Sequence, residues 1–161
     1  MKKGYILIAI LGVLFYGCGS IAPIKEHSLF IVWRSPAIKY ADMGFLSDDG
    51  DRLRLEIYSS GTALMRIDID RDSICMSRFE CMEKRAFNQK VLSPYYPPDT
   101  LESILRAEEI FGGEGVVLQR DGFVQKISEQ DRYSIEYRVN EKETIFIDTL
   151  NNIVIKIRNI G

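Results

Sequence analysis

The side chains able to do chemistry are few, and their spacing does not assemble them. The chain of 161 residues holds one histidine, His27, which removes most metal, triad and proton-shuttle schemes because those depend on imidazole. Asp48-Asp49-Gly50-Asp51 has the acidity of a calcium loop. It lacks the alternating ligands and terminal Glu of such a loop, and a polar hairpin turn explains it better. Asp68, Asp70 and Asp72 alternate along the end of an apolar run, as the wet face of a strand would. Gly112-Gly113-Glu114-Gly115 is glycine-rich, yet no Lys-Ser/Thr follows it as a phosphate loop demands. Tyr95 and Tyr96, between Ser93 and Pro98, read as a buttress for that loop, with a binding surface as the sharper alternative. Neither an enzyme nor a metal or other cofactor is expected.

Three cysteines complete the inventory. Cys75 and Cys81 stand symmetrically about Arg78, which places them opposite each other across a tight hairpin. In an oxidising compartment such a pair reads as a disulfide; closing so small a loop contributes about 2.4 kcal/mol in the chain-entropy account. Two free thiols or a metal pair are the other readings, and the spacing is not that of a redox-active CxxC. Cys18 is different. It follows Lys2, Lys3 and the uncharged run Gly4 to Gly17, a basic start and short apolar core that describe a secretion signal. The run is too short for a membrane span of about 20 residues. Leu14-Phe15-Tyr16-Gly17-Cys18 resembles the lipobox of bacterial lipoproteins, although Phe15 and Tyr16 are bulkier than the usual residues there. The resemblance implies removal of residues 1–17 and acylation of Cys18, with palmitate-like chains contributing about 0.8 kcal/mol per buried methylene. Gly19, in place of Asp, implies by the same resemblance the periplasmic face of the outer membrane, with the inner membrane as the alternative. An ordinary secretion signal with an incidental Cys18 is the plainer reading. Without the leader, 144 of the 161 residues remain, enough for one domain. Loss of Lys2 and Lys3 leaves 19 basic residues against 23 acidic, a net charge of −4. No nucleic acid partner is expected from that balance.

The elements that must position these residues are mostly strands. Residues 18–36 read as a lipidated N-terminus and tether with a short strand, Leu29 to Trp33, stopped by Pro36; residues 37–161 read as one β-domain. Leu53, Leu55 and Ile57 alternate with charged residues, as do Met65, Ile67 and Ile69; Tyr133, Ile135, Tyr137 and Val139 repeat the pattern, and so do Ile153, Ile155 and Ile157. Period two marks half-buried strands. Asp48 to Asp51, Ser59-Ser60-Gly61, Asp121-Gly122 and Asn151-Asn152 supply turn chemistry between them. About ten strands in an antiparallel meander follow from this. The alternation fails once, where Glu83 to Leu92 suits a short helix with Ala86, Phe87 and Val91 on one face. A second helix opens at Asp99, with Glu102 completing a capping box and Leu101, Ile104 and Leu105 as its apolar stripe. Two helices in mid-meander are natural cover for the open side of a curved sheet.

This order of elements resembles the lipoprotein carrier fold of the periplasmic chaperone LolA and the outer-membrane receptor LolB, over roughly Ile38 to Ile160. RLRLEIYSSGTALMRIDI (Arg52 to Ile69), PPDTLESIL (Pro97 to Leu105) and the alternating tail from YSIEYRV to IVIKIRN carry the similarity. It implies an unclosed antiparallel β-barrel covered by the inserted helices, which holds lipoprotein acyl chains. An acylated Cys18 fits the receptor. The implied partners are the membrane, through the lipid anchor, the acyl chains of lipoproteins and a periplasmic LolA-like carrier. The candidate acyl-chain lining is Leu53, Leu55, Ile57, Met65, Ile67, Ile135, Tyr137, Ile145, Ile147 and Ile155, with Leu101, Ile104 and Leu105 on the cover. One departure concerns Ser60, which stands where the receptor's turn exposes a membrane-inserting leucine. The segment ahead of the meander is short as well, so an N-terminal strand is expected to be missing or altered. The second reading is a non-catalytic structural or interaction lipoprotein of the envelope, the same fold with a filled core.

Overall fold

The computed structural model describes residues 25–77 and 79–160; the leader, Cys18 and the start of the tether lie outside them. Eleven strands form one antiparallel sheet: β1 (Lys25–Arg34), β2 (Lys39–Asp48), β3 (Leu53–Ser59), β4 (Thr62–Ile69), β5 (Ser73–Met76), β6 (Phe79–Glu83), β7 (Val116–Gln119), β8 (Gly122–Glu129), β9 (Tyr133–Asn140), β10 (Glu143–Asp148) and β11 (Ile153–Asn159). Their order is β6-β5-β4-β3-β2-β1-β11-β10-β9-β8-β7. The chain therefore starts in the middle of the sheet and meanders out to one edge. It then crosses to the other edge and meanders back until β11 pairs with β1. Edges β6 and β7 do not pair, so the barrel is unclosed. The crossing between them carries α1 (Lys84–Val91), α2 (Thr100–Arg106) and a 3-10 turn at Phe111–Gly113.

Alternation decides the faces. Leu53, Leu55 and Ile57 of β3, with Met65, Ile67 and Ile69 of β4, are buried in a single apolar cluster that also takes in the buried residues of α1 and α2. Each such side chain removed from water stabilises the fold by about 1.5–3 kcal/mol. Strand β1 is longer than its apolar centre suggests. Pairing with β2 along its entire length, and with β11 from Leu29 to Arg34, extends it back to Lys25. Residues 25–34 are thus part of the sheet and not a tether. The turn into β2 is fixed locally, as Ser35 Oγ accepts the Ala37 and Ile38 amides around Pro36. In β2 the inward position at Gly44 has no room for a side chain; a Cβ there would lie 2.6 Å from the Glu56 carbonyl oxygen.

The expected face of β10 is reversed. Thr144, Phe146 and Asp148 point into the cluster, while Ile145 and Ile147 are half-buried on the outer face. Asp148 sets the parity, because its carboxylate accepts the Leu150 and Asn151 amides of the following turn and the Ser134 amide of β9. Two further expectations are corrected in the insert. Ala86 is exposed, and α1 buries Lys84, Phe87, Asn88 and Val91. Asp99 and Glu102 make no capping box; both carboxylates bind Lys84 Nζ, at 2.8 and 2.6 Å. Cys75 and Cys81 form the disulfide, their Cα atoms 4.0 Å apart across the β5–β6 hairpin.

Candidate functional site

The inner face and its cover make up the one large apolar surface among the described residues. Leu53, Leu55, Ile57, Met65, Ile67, Ile135, Tyr137 and Ile155 all lie on it, each no more than 3% exposed. Leu101, Ile104 and Leu105 of α2 close over it. Ile145 and Ile147 do not belong to it, and Phe146 takes their place. Leu29, Ile31 and Trp33 of β1 also belong, as does Phe87 of α1. The signal for the β1 residues was the short apolar run Leu29 to Trp33, apolar on both parities, in a segment otherwise read as tether. Trp33, Tyr137, Phe87 and Phe146 are the largest fully buried side chains and fill the centre. Tyr137 stacks edge-on against both Phe123 and Phe146.

Polar contacts fasten the insert to the sheet at several points. At its start, Lys84 is 5% exposed and holds both Asp99 and Glu102. Burial alone would lower its pKa, but the two carboxylates outweigh that and the net shift is upward. Tyr96, between the helices, donates its hydroxyl to Asp148 Oδ2 at 2.5 Å. Burial and then this carboxylate push the Tyr96 phenol far above its ordinary pKa. Burial also works against ionisation of Asp148. Hydrogen bonds from Asn151, Tyr96 and the Ser134 amide overcome it and hold the carboxyl below its usual range. Further on, Tyr137 donates its hydroxyl to the Glu108 carbonyl at 3.0 Å. The Arg106 guanidinium, at the end of α2, reaches Asp48 at 3.1 Å, Glu102 at 3.3 Å and the Gly50 carbonyl at 3.3 Å.

Beside Arg106 the interior opens into a recess of about 620 Å³ at one rim of the barrel. Its floor is Leu46, Leu53, Leu105 and Ile157, the last turn of the apolar face, and its border is polar. His27 stands on that border, on β1 opposite Leu46. The other residues weighed for chemistry are structural. Asp49 Oδ1 accepts the Asp51 and Arg52 amides of its own turn. Asp68 pairs with Arg54 and Arg66, and Asp70 with Arg52. Tyr96 buttresses its loop as expected, while Tyr95 is half exposed under the Arg132 guanidinium.

No family model and no curated protein matches the sequence. The functional reading therefore rests on the geometry of the described residues and on what the leader's sequence resembles. Ser60, in the β3–β4 turn, adopts a left-handed backbone with φ 50°, and Gly61 follows at φ 79°. Two positive φ values suit a tight hairpin, and a leucine at position 60 would be strained by about 1–2 kcal/mol.

Proposed function

We propose that the protein is a lipoprotein anchored through Cys18 at the periplasmic face of the outer membrane, where its apolar inner face binds acyl chains during lipoprotein localisation. One observation supports this above the rest. A continuous apolar face is covered only by an insert that joins the two free edges of the sheet, and that face opens to the surface at the rim recess. The action is capture, not catalysis. Burial of methylenes drives it, at about 0.8 kcal/mol each, and the insert must shift to admit a chain. Purification of the full chain in a mild detergent, followed by native mass spectrometry, tests the reading. A co-purifying acylated ligand, displaceable by palmitate, is the expected result; a protein that emerges empty and ignores palmitate contradicts it.

A specific observation favours the second reading, a structural or interaction lipoprotein. Trp33, Phe87, Tyr137 and Phe146 occupy the space between sheet and cover, each fully buried. If they stay packed under every ligand condition, the core is filled for good.

A further inference from the structure

Resting on the acyl-chain reading, we infer that the rim recess is the port through which the chain enters, and that its border holds the ligand's oxygen-rich head. The floor and the border differ sharply in kind. Leu46, Leu53, Leu105 and Ile157 are at most 5% exposed and offer an apolar end to the inner face.

The border supplies donors, and two of its three acids, Asp48 and Asp49, are spent; Glu108 is the third and is exposed. Asp48 accepts the Gly50 amide with Oδ1 and Arg106 with Oδ2, and Asp49 accepts two amides of its turn. Asn140 Oδ1 accepts the Lys142 and Glu143 amides, which leaves its Nδ2 to donate. Lys25 lines the same border and no carboxylate pairs with it among the described residues. A head of ester, carboxyl or phosphate oxygens is the complement of that set, since a charged donor to an acceptor oxygen makes a stronger bond than a neutral pair.

The anchor places the port. Lys25 is seven residues after Cys18, and seven extended residues reach at most about 25 Å. The other end of β1 turns back at Ser35, roughly 30 Å farther along the strand at about 3.3 Å per residue. The recess is therefore the end of the barrel tied closest to the bilayer. Its occupant is an amphiphile drawn from that membrane, either a free fatty acid or lysophospholipid or the acylated Cys terminus of another lipoprotein.

Photolabelling of the anchored full chain in phosphatidylethanolamine–phosphatidylglycerol vesicles tests this. One arm uses a 16-carbon fatty acid with a diazirine near its carboxyl; the other uses a triacylated Cys peptide with a diazirine beside the ester. Label mapped to the peptides holding Lys25–His27, Asn140 and Leu105–Glu108 is the expected result, reduced at least fivefold by the surface variant Lys25→Glu. The arm that labels those peptides identifies the source. Label confined to other peptides, with binding intact, overturns the port and leaves the acyl-chain reading standing. No label in either arm overturns both.

Discussion

At Tyr96 the insert meets the sheet through a buried hydroxyl on a carboxylate that has no spare capacity, whereas at Arg106 it meets the sheet through an ion pair beside an open recess. Asp148 is 1% exposed and accepts from Tyr96, Ser134, Leu150 and Asn151. Arg106 makes three longer contacts of 3.1 to 3.3 Å, and its partners sit at a turn and on its own helix. Buried charged hydrogen bonds are costly to break, because what is left behind is an uncompensated group. The Arg106–Asp48 pair, with side chains 16% and 23% exposed at the border of the recess, costs less to break, because water reaches the groups left behind. The cover is thus hinged at Tyr96 and clasped at Arg106, and any opening starts at the rim.

Four measurements would break or sharpen that contrast. Asp148→Ala should have the largest effect, about 3 kcal/mol lost in denaturant unfolding, since Tyr96, Ser134 and Asn151 all lose their acceptor. Tyr96→Phe should cost about 1.5–2 kcal/mol by the same measurement, for one bond to a charged group. The pH dependence follows from Asp148, whose folded pKa is depressed. Its contribution is complete above the unfolded value of about 3.9 and disappears as pH falls through the folded value. Asp148→Asn should therefore flatten the acid limb of the stability profile. Arg106→Gln should have the smallest effect on stability, about 1 kcal/mol for a pair whose side chains are 16% and 23% exposed, while stopped-flow uptake of a fluorescent fatty acid becomes faster. An equal stability loss at Arg106 and Tyr96 would remove the distinction between hinge and clasp.

How much of this was legible depends on what each residue's neighbours reveal. Runs such as Leu53-Arg54-Leu55-Glu56-Ile57 put apolar and charged side chains on opposite parities, so one face alone can be buried. Thr144-Ile145-Phe146-Ile147 is apolar on both parities. There the face is set by Asp148, whose partners come from β9 and from between the helices, at distances in sequence no local pattern reports. The same holds for Asp99 and Glu102. Their spacing fits a capping box, but Lys84 on the preceding helix, buried and in need of partners, takes both carboxylates. The cover residues Leu101, Ile104 and Leu105 were legible because helical spacing alone separates them from Glu102 and Ser103. The recess was not, because it is assembled from five separate stretches of the chain.

Trp33 offers the most direct test that an acyl chain enters the interior. It is the only tryptophan, fully buried on the inner face, and six residues along β1 from His27 at the recess, about 20 Å at the rise of a strand. Bromine quenches tryptophan only at contact, so a dibrominated stearate held at the rim leaves Trp33 bright. One that runs along the inner face quenches it. Titration of the full chain with this probe should give saturable quenching of Trp33 that palmitate reverses. Fluorescence unchanged at saturating probe would contradict the account and leave a filled, structural core.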